Sequence, residues 1–164
     1  MKKLLLVLTV AVIAGIGSWF VWRPVQAAPD VTFTGLDGKT MSMQDLRGKV
    51  VLIKFWATSC VTCVAQMPDT IANYNTYSPK GFETVAVAMQ YDPPNYVLNY
   101  AQTRKLPFMV SVDAKGELAR AFGDVKLTPT AFLIDKQGHI IKRYLGEYDK
   151  GEFQATVQKA LAAG

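Results

Sequence analysis

Residues 49–57, KVVLIKFWA, are apolar on both alternating faces except at Lys54. A strand with one face in water alternates apolar and polar side chains, whereas one that is apolar on both faces lies inside a sheet with a packed layer on each side. This stretch therefore restricts the chain to an arrangement in which it is a central strand covered by helices. With 164 residues, half of them hydrophobic, the chain suffices for one such domain and a short appendage.

The rest of the sequence supplies the covering elements. Thr58-Ser59 offers a cap for a helix over about 60–77 with Pro68 inside it, and residues 82–89 (FETVAVAM) form a second buried strand. Asp92-Pro93-Pro94 opens a helix that runs to about Arg104 and stops before Pro107. A short strand over 108–112, a short helix over 116–122, a hairpin of 131–135 with 139–145, and a closing helix over 150–163 complete the series. Upstream, Leu36-Asp37-Gly38-Lys39 is a turn between two short strands around Thr32 and Ser42. The expected fold class is α/β, a mixed central sheet flanked by helices.

The appendage is the N-terminus. Residues 4–22 are apolar or small, preceded by Lys2 and Lys3 and followed by Arg23-Pro24. As a helix this run spans about 28 Å, close to a bilayer's hydrocarbon thickness, which suits a transmembrane anchor. Val25-Gln26-Ala27 equally offers small residues for signal-peptide cleavage before Ala28. Residues 1–27 are thus a signal peptide or an anchor, and 28–164 the exported domain. Subtracting Lys2, Lys3 and Arg23 from the net charge of +5 leaves +2 for that domain. Its cations are dispersed without a basic run, which excludes a nucleic-acid surface.

The two cysteines, Cys60 and Cys63, stand where the buried strand gives way to its helix. At i and i+3 they share one helix face within reach of a disulfide, and the helix N-terminus stabilises a thiolate at Cys60. Cys60 is the expected nucleophile and Cys63 the resolving thiol, with Val61 and Thr62 tuning the pair without adding a cation. A bridge closing so small a loop adds little stability, which argues against a purely structural disulfide. A zinc site lacks ligands, since two cysteines and one histidine, His139, are all the chain offers. No metal or other cofactor is expected.

The run from Lys54 to Cys63, KFWATSCVTC, resembles the F-W-A-x-W-C-x-x-C signature of thioredoxins, with Pro68 matching the family's helix proline and Thr128-Pro129-Thr130 its cis-proline loop. Residues 31–161 resemble in particular the membrane-tethered TlpA/ResA-like branch, which carries an N-terminal hairpin and a central helix–strand insertion, here about 94–112. The resemblance implies a thioredoxin fold and thiol–disulfide oxidoreductase activity. It also implies a cis Pro129 beside the cysteines and a Thr128 backbone that pairs with an extended substrate strand. Trp56 is implied as a tuning residue packed in the core. The implied partners are a client protein with a disulfide or CxxC motif and a membrane electron donor of the DsbD/CcdA type. Apocytochrome c or a copper-site assembly factor are the candidate clients. Other readings are a copper-binding chaperone, with Met41, Met43 or Met67 as further soft ligands, or a thiol peroxidase, whose P-x-x-x-T-x-x-C pattern is absent.

Three positions depart from that pattern. Ser59 replaces the tryptophan before the first cysteine, removing an apolar surface. Lys54 replaces a buried acid; either its ammonium or amine acts on the thiols, or its stem crosses the core and the amine reaches water. Tyr91 falls where the branch places a glutamate, with Asp92 adjacent, and the acid role is left unassigned. His139 is expected as an exposed bystander in its turn; Phe55 and Phe132 are expected in the core.

Overall fold

The computed structural model describes residues 26–163. The expected export segment lies outside them, and among the described residues no helix is long and apolar enough to cross a membrane.

A two-stranded hairpin, β1 (Thr32–Thr34) and β2 (Thr40–Ser42), precedes the sheet. The central strand β3 (Val50–Trp56) is buried at all seven positions, as its two apolar faces require. Helix α1 (Val61–Tyr77) follows it and continues through Pro68, then β4 (Phe82–Ala88), α2 (Pro94–Thr103), β5 (Met109–Val112) and α3 (Glu117–Ala121). The chain closes with β6 (Thr130–Ile134), β7 (Ile140–Leu145) and α4 (Lys150–Ala162). The sheet order is β5-β4-β3-β6-β7, with β3, β4 and β5 parallel and β6 antiparallel to both neighbours. This is the expected mixed sheet of a thioredoxin fold, with the hairpin and the α2–β5 insertion in place.

Both sheet edges receive short backbone pairings, which limits their availability to other chains. Leu36 N–H donates to the Val110 carbonyl at 3.0 Å on the β5 side. On the β7 side, Ile140 N–H donates to the Gln26 carbonyl at 2.8 Å and Ala28 N–H to the Gly138 carbonyl at 2.9 Å.

The alternation along β3 sorts the core. Val51, Ile53 and Phe55 face the hairpin and α3, where Phe33, Phe122 and Phe132 pack. On the opposite face Val50 and Leu52 join Tyr77, Phe82 and Phe153, while Trp56 joins Cys63, Met67, Val97 and Phe108. Lys54 shares that face and falls between the two apolar groups.

Candidate redox site

Trp56 and Ala57 are fully buried, so the end of β3 delivers Thr58, Ser59 and Cys60 from a rigid base. The helix cap differs from the sequence expectation. Cys60, not Thr58 or Ser59, is the N-cap, in extended backbone, and its Sγ accepts from Cys63 N–H at 3.2 Å. A thiolate there gains the same bond in charged form, together with the unpaired N–H groups of a 17-residue helix that has no acid in its first turn. Cys60 and Cys63 are joined as a disulfide, Cα atoms 5.2 Å apart. Cys63 is completely buried and Cys60 half-buried, so Cys60 is the accessible member of the pair. Between them Val61 is exposed and Thr62 half-buried.

The Thr128–Pro129 peptide is cis, as the resemblance implies, and Pro129 is buried. Its carbonyl accepts from Gly146 N–H at 2.8 Å, and Thr130 Oγ1 donates to the Leu127 carbonyl at 2.7 Å. These bonds hold the loop from both sides.

Lys54 has no exposure at all, so the expectation that its amine could reach water is overturned. Nζ donates to Thr70 Oγ1 at 2.9 Å and to Gln66 Oε1 at 3.2 Å, and lies 5.8 Å from the ring centroid of Tyr148. Gln66 and Thr70 stand one turn apart on α1, so they present both acceptors on one line. Burial lowers the Lys54 pKa to about 8, opposed by the attraction of Asp69. Burial also pushes the Tyr148 hydroxyl up to about 12. Gln66 is the residue next to Cys63 on its helix face, and its Nε2 donates to the Gly146 carbonyl at 3.4 Å. The lysine is thus connected through one amide to Gly146, the residue whose N–H supports Pro129.

Tyr91 and Asp92 join the remaining loops. Asp92 is 2% exposed, and its carboxylate accepts from both Thr58 N–H at 2.6 Å and Thr58 Oγ1 at 2.5 Å. Tyr91 turns outward, its hydroxyl 3.3 Å from Thr128 Oγ1. Asp92 has no role that sequence reasoning could assign, because its contact is with a residue 34 positions away and only the two prolines that follow it hint that its backbone is fixed.

The other candidates lie in packing roles. Met43 and Met67 are core and Met41 packs against it; Phe55 and Phe132 are core as expected. His139 is half-buried rather than exposed, with Nδ1 3.3 Å from Asp135 Oδ2 and its backbone bridged to Ala27. Among the described residues no group of three or more His, Cys, Asp or Glu side chains could hold a metal ion.

Comparison with known proteins agrees with this geometry. The Redoxin family matches residues 24–161. The thiol-disulfide oxidoreductase ResA of Bacillus thuringiensis subsp. konkukian is 35% identical over 132 residues, 80% of this chain and 75% of that protein. A thiol:disulfide interchange protein of the thioredoxin family from Chlorobium tepidum superposes with a TM-score of 0.78 at 31% identity, covering 86% of this chain and 99% of its own. A proposed thioredoxin from Neisseria meningitidis gives 0.80 at 41% identity, with 85% and 93% covered.

Proposed function

The chain belongs to the Redoxin family and is a thiol–disulfide oxidoreductase, and on that premise we propose that it reduces disulfides in specific exported proteins. The observation that carries the proposal is the asymmetry of the pair: an accessible Cys60 capping a helix, with Cys63 sealed behind it. In the reduced enzyme the Cys60 thiolate attacks one sulfur of a client disulfide. The client S–S bond breaks, a Cys60–client disulfide forms, and the client's other sulfur leaves as thiolate. Cys63, as thiolate, then attacks Cys60 Sγ, re-forming the Cys60–Cys63 bond and expelling the second client thiolate. The client gains two electrons and, with solvent, two protons. A membrane dithiol donor of the DsbD/CcdA type restores the enzyme by the reverse exchange.

Reducing direction is supported by the dipeptide, since Val61 and Thr62 bring no cation to stabilise the dithiol form. The N-terminal lysines and apolar run support export to the periplasmic side of the inner membrane. The resemblance to the TlpA/ResA-like branch supports clients such as apocytochrome c or a copper-site assembly factor.

Cys63→Ser removes only the resolving step, so it accumulates client mixed disulfides that can be captured and identified, whereas Cys60→Ser captures none. Equilibration with dithiothreitol should give a potential of about −270 to −180 mV, and a value near −120 mV refutes the reducing role.

A further inference from the structure

The residues around the disulfide leave an unusual rim. Ser59, beside Cys60, is small and exposed, so the CxxC loop carries no ring of its own. Apolar surface comes instead from Val61, 84% exposed, Leu127, 64% exposed, and Tyr91, 55% exposed. None of the side chains of residues 57–63, Tyr91 and 127–129 is charged. Exposed aromatic and aliphatic side chains gathered at a functional site mark a binding surface.

Tyr91 is fixed where it matters. Its neighbour Asp92 is buried and held by two bonds to Thr58, two residues before Cys60. The Tyr91 hydroxyl reaches Thr128, the residue before the cis proline. The ring therefore stands between the two loops that a client must meet. Its bond goes to the Thr128 side chain. Among the described residues no hydrogen bond engages the Thr128 backbone, so that N–H and C=O are free for an incoming strand.

We propose that Tyr91 is a client-selecting residue. Its ring walls a subsite for an apolar side chain next to the client's reactive cysteine, and its hydroxyl, bonded to Thr128 Oγ1, holds the ring beside the free Thr128 backbone. The proposal rests on the reading that the substrate is a disulfide in a protein. The charged side chains that share a cavity wall with Tyr91 are already engaged, Lys126 with Asp124 at 3.0 Å and Arg120 with the Lys115 carbonyl at 2.9 Å, so a charged client side chain is desolvated for little return, while an apolar one gains contact with the ring.

The test uses two synthetic disulfide-bridged peptides, identical except for Leu or Asp beside the attacked cysteine. The wild-type enzyme should favour the Leu peptide about tenfold in kcat/KM, equivalent to about 1.4 kcal/mol. Tyr91→Ala should bring that ratio to within about twofold, mostly through KM for the Leu peptide. Tyr91→Phe keeps the ring and loses only the bond to the Thr128 side chain, so it should keep the preference. Exchange with dithiothreitol, which is too small to need the subsite, should be unchanged in both variants. A Tyr91→Ala enzyme that retains the Leu preference overturns the proposal, as does one that loses dithiothreitol exchange in proportion. The ratio is also measurable with oxidised enzyme and the peptide dithiols. An enzyme that oxidises but does not reduce the peptides therefore overturns the reducing role while the Leu-to-Asp ratio still decides on Tyr91.

Discussion

Replacing Lys54 by methionine should stabilise the oxidised protein at neutral pH, and the gain should disappear as the pH rises. The amine has a pKa of 10.5 in an open chain and about 8 in the fold, because burial disfavours the ammonium. That gap corresponds to about 3 kcal/mol. Below pH 8 the lysine is charged in both states, and the folded state carries the whole penalty. Between pH 8 and 10.5 the folded amine has lost its proton while the unfolded one keeps it. The unfolded state then binds more protons, so stability rises with pH until the penalty is gone.

Methionine has nearly the same length, is unbranched and does not titrate, so it fills the seam without the penalty. It forfeits the bonds to Gln66 and Thr70, worth about 1 kcal/mol each. Thr70 still donates to the Gln66 carbonyl at 3.1 Å, so its hydroxyl is not stranded. The net expectation at pH 7 is a gain of about 1 kcal/mol for Lys54→Met, turning into a loss of about 1–2 kcal/mol near pH 10. Urea unfolding of both disulfide-intact proteins at the two pH values measures this. With slopes of about 1–3 kcal/mol per molar, the difference in midpoints should move by about 1–2 M. Titrations common to both proteins cancel in that difference. A difference independent of pH would mean that Lys54 is as well solvated in the fold as in the open chain, and the account of the buried ammonium would be wrong.

In the reduced enzyme Lys54→Met should raise the pKa of the cysteine pair, seen as a later rise of thiolate absorbance at about 240 nm; superimposable curves would separate Lys54 from the thiols. Asp92→Asn leaves an amide whose NH2 group cannot accept from Thr58, and should destabilise the fold by about 1–3 kcal/mol by thermal or urea unfolding. It should also slow exchange with dithiothreitol, because the loop carrying Cys60 loses its anchor; an unchanged rate would show that β3 alone positions the loop. In the reduced wild type, iodoacetamide should modify Cys60 well before Cys63, and equal labelling would contradict the assigned roles.

The fold was legible because its main signals are local. Seven buried residues of β3 announce themselves as a two-faced apolar run, and Pro94 and Gly116 mark helix starts that the structure keeps to within a residue. The cysteines were legible for the same reason, since their spacing and their place after a strand are sequence properties. Contacts between distant segments were not. Cys60 takes the cap because its own sulfur accepts the Cys63 N–H, a choice that depends on the turn made by Thr58 and Ser59, and that turn depends on Asp92. The surroundings of Lys54 did leave a trace: Cys63, Gln66, Thr70 and Asn73 recur at helical spacing on α1, and Thr70 and Asn73 are polar yet buried. Polar residues on the core-facing side of one helix, opposite a lysine in the central strand, specify a buried polar seam more economically than they specify a solvent-exposed face.

That seam gives one departure from the family pattern, Lys54, its physical setting. Lys54 divides one face of the core into an apolar group beneath α4 and another beneath the cysteines, and its ammonium needs two acceptors from α1 to remain there. A core of this kind is less stable than an apolar one of equal volume, because a buried charge has only hydrogen bonds to offset its lost hydration. The same bonds fix Gln66 beside Cys63 and turn its amide toward Gly146, which in turn holds Pro129. Local rules of burial are broken where the active-site helix and the cis-proline loop must keep a set distance. Loss of Lys54 should therefore loosen the geometry of the site even as it strengthens the domain.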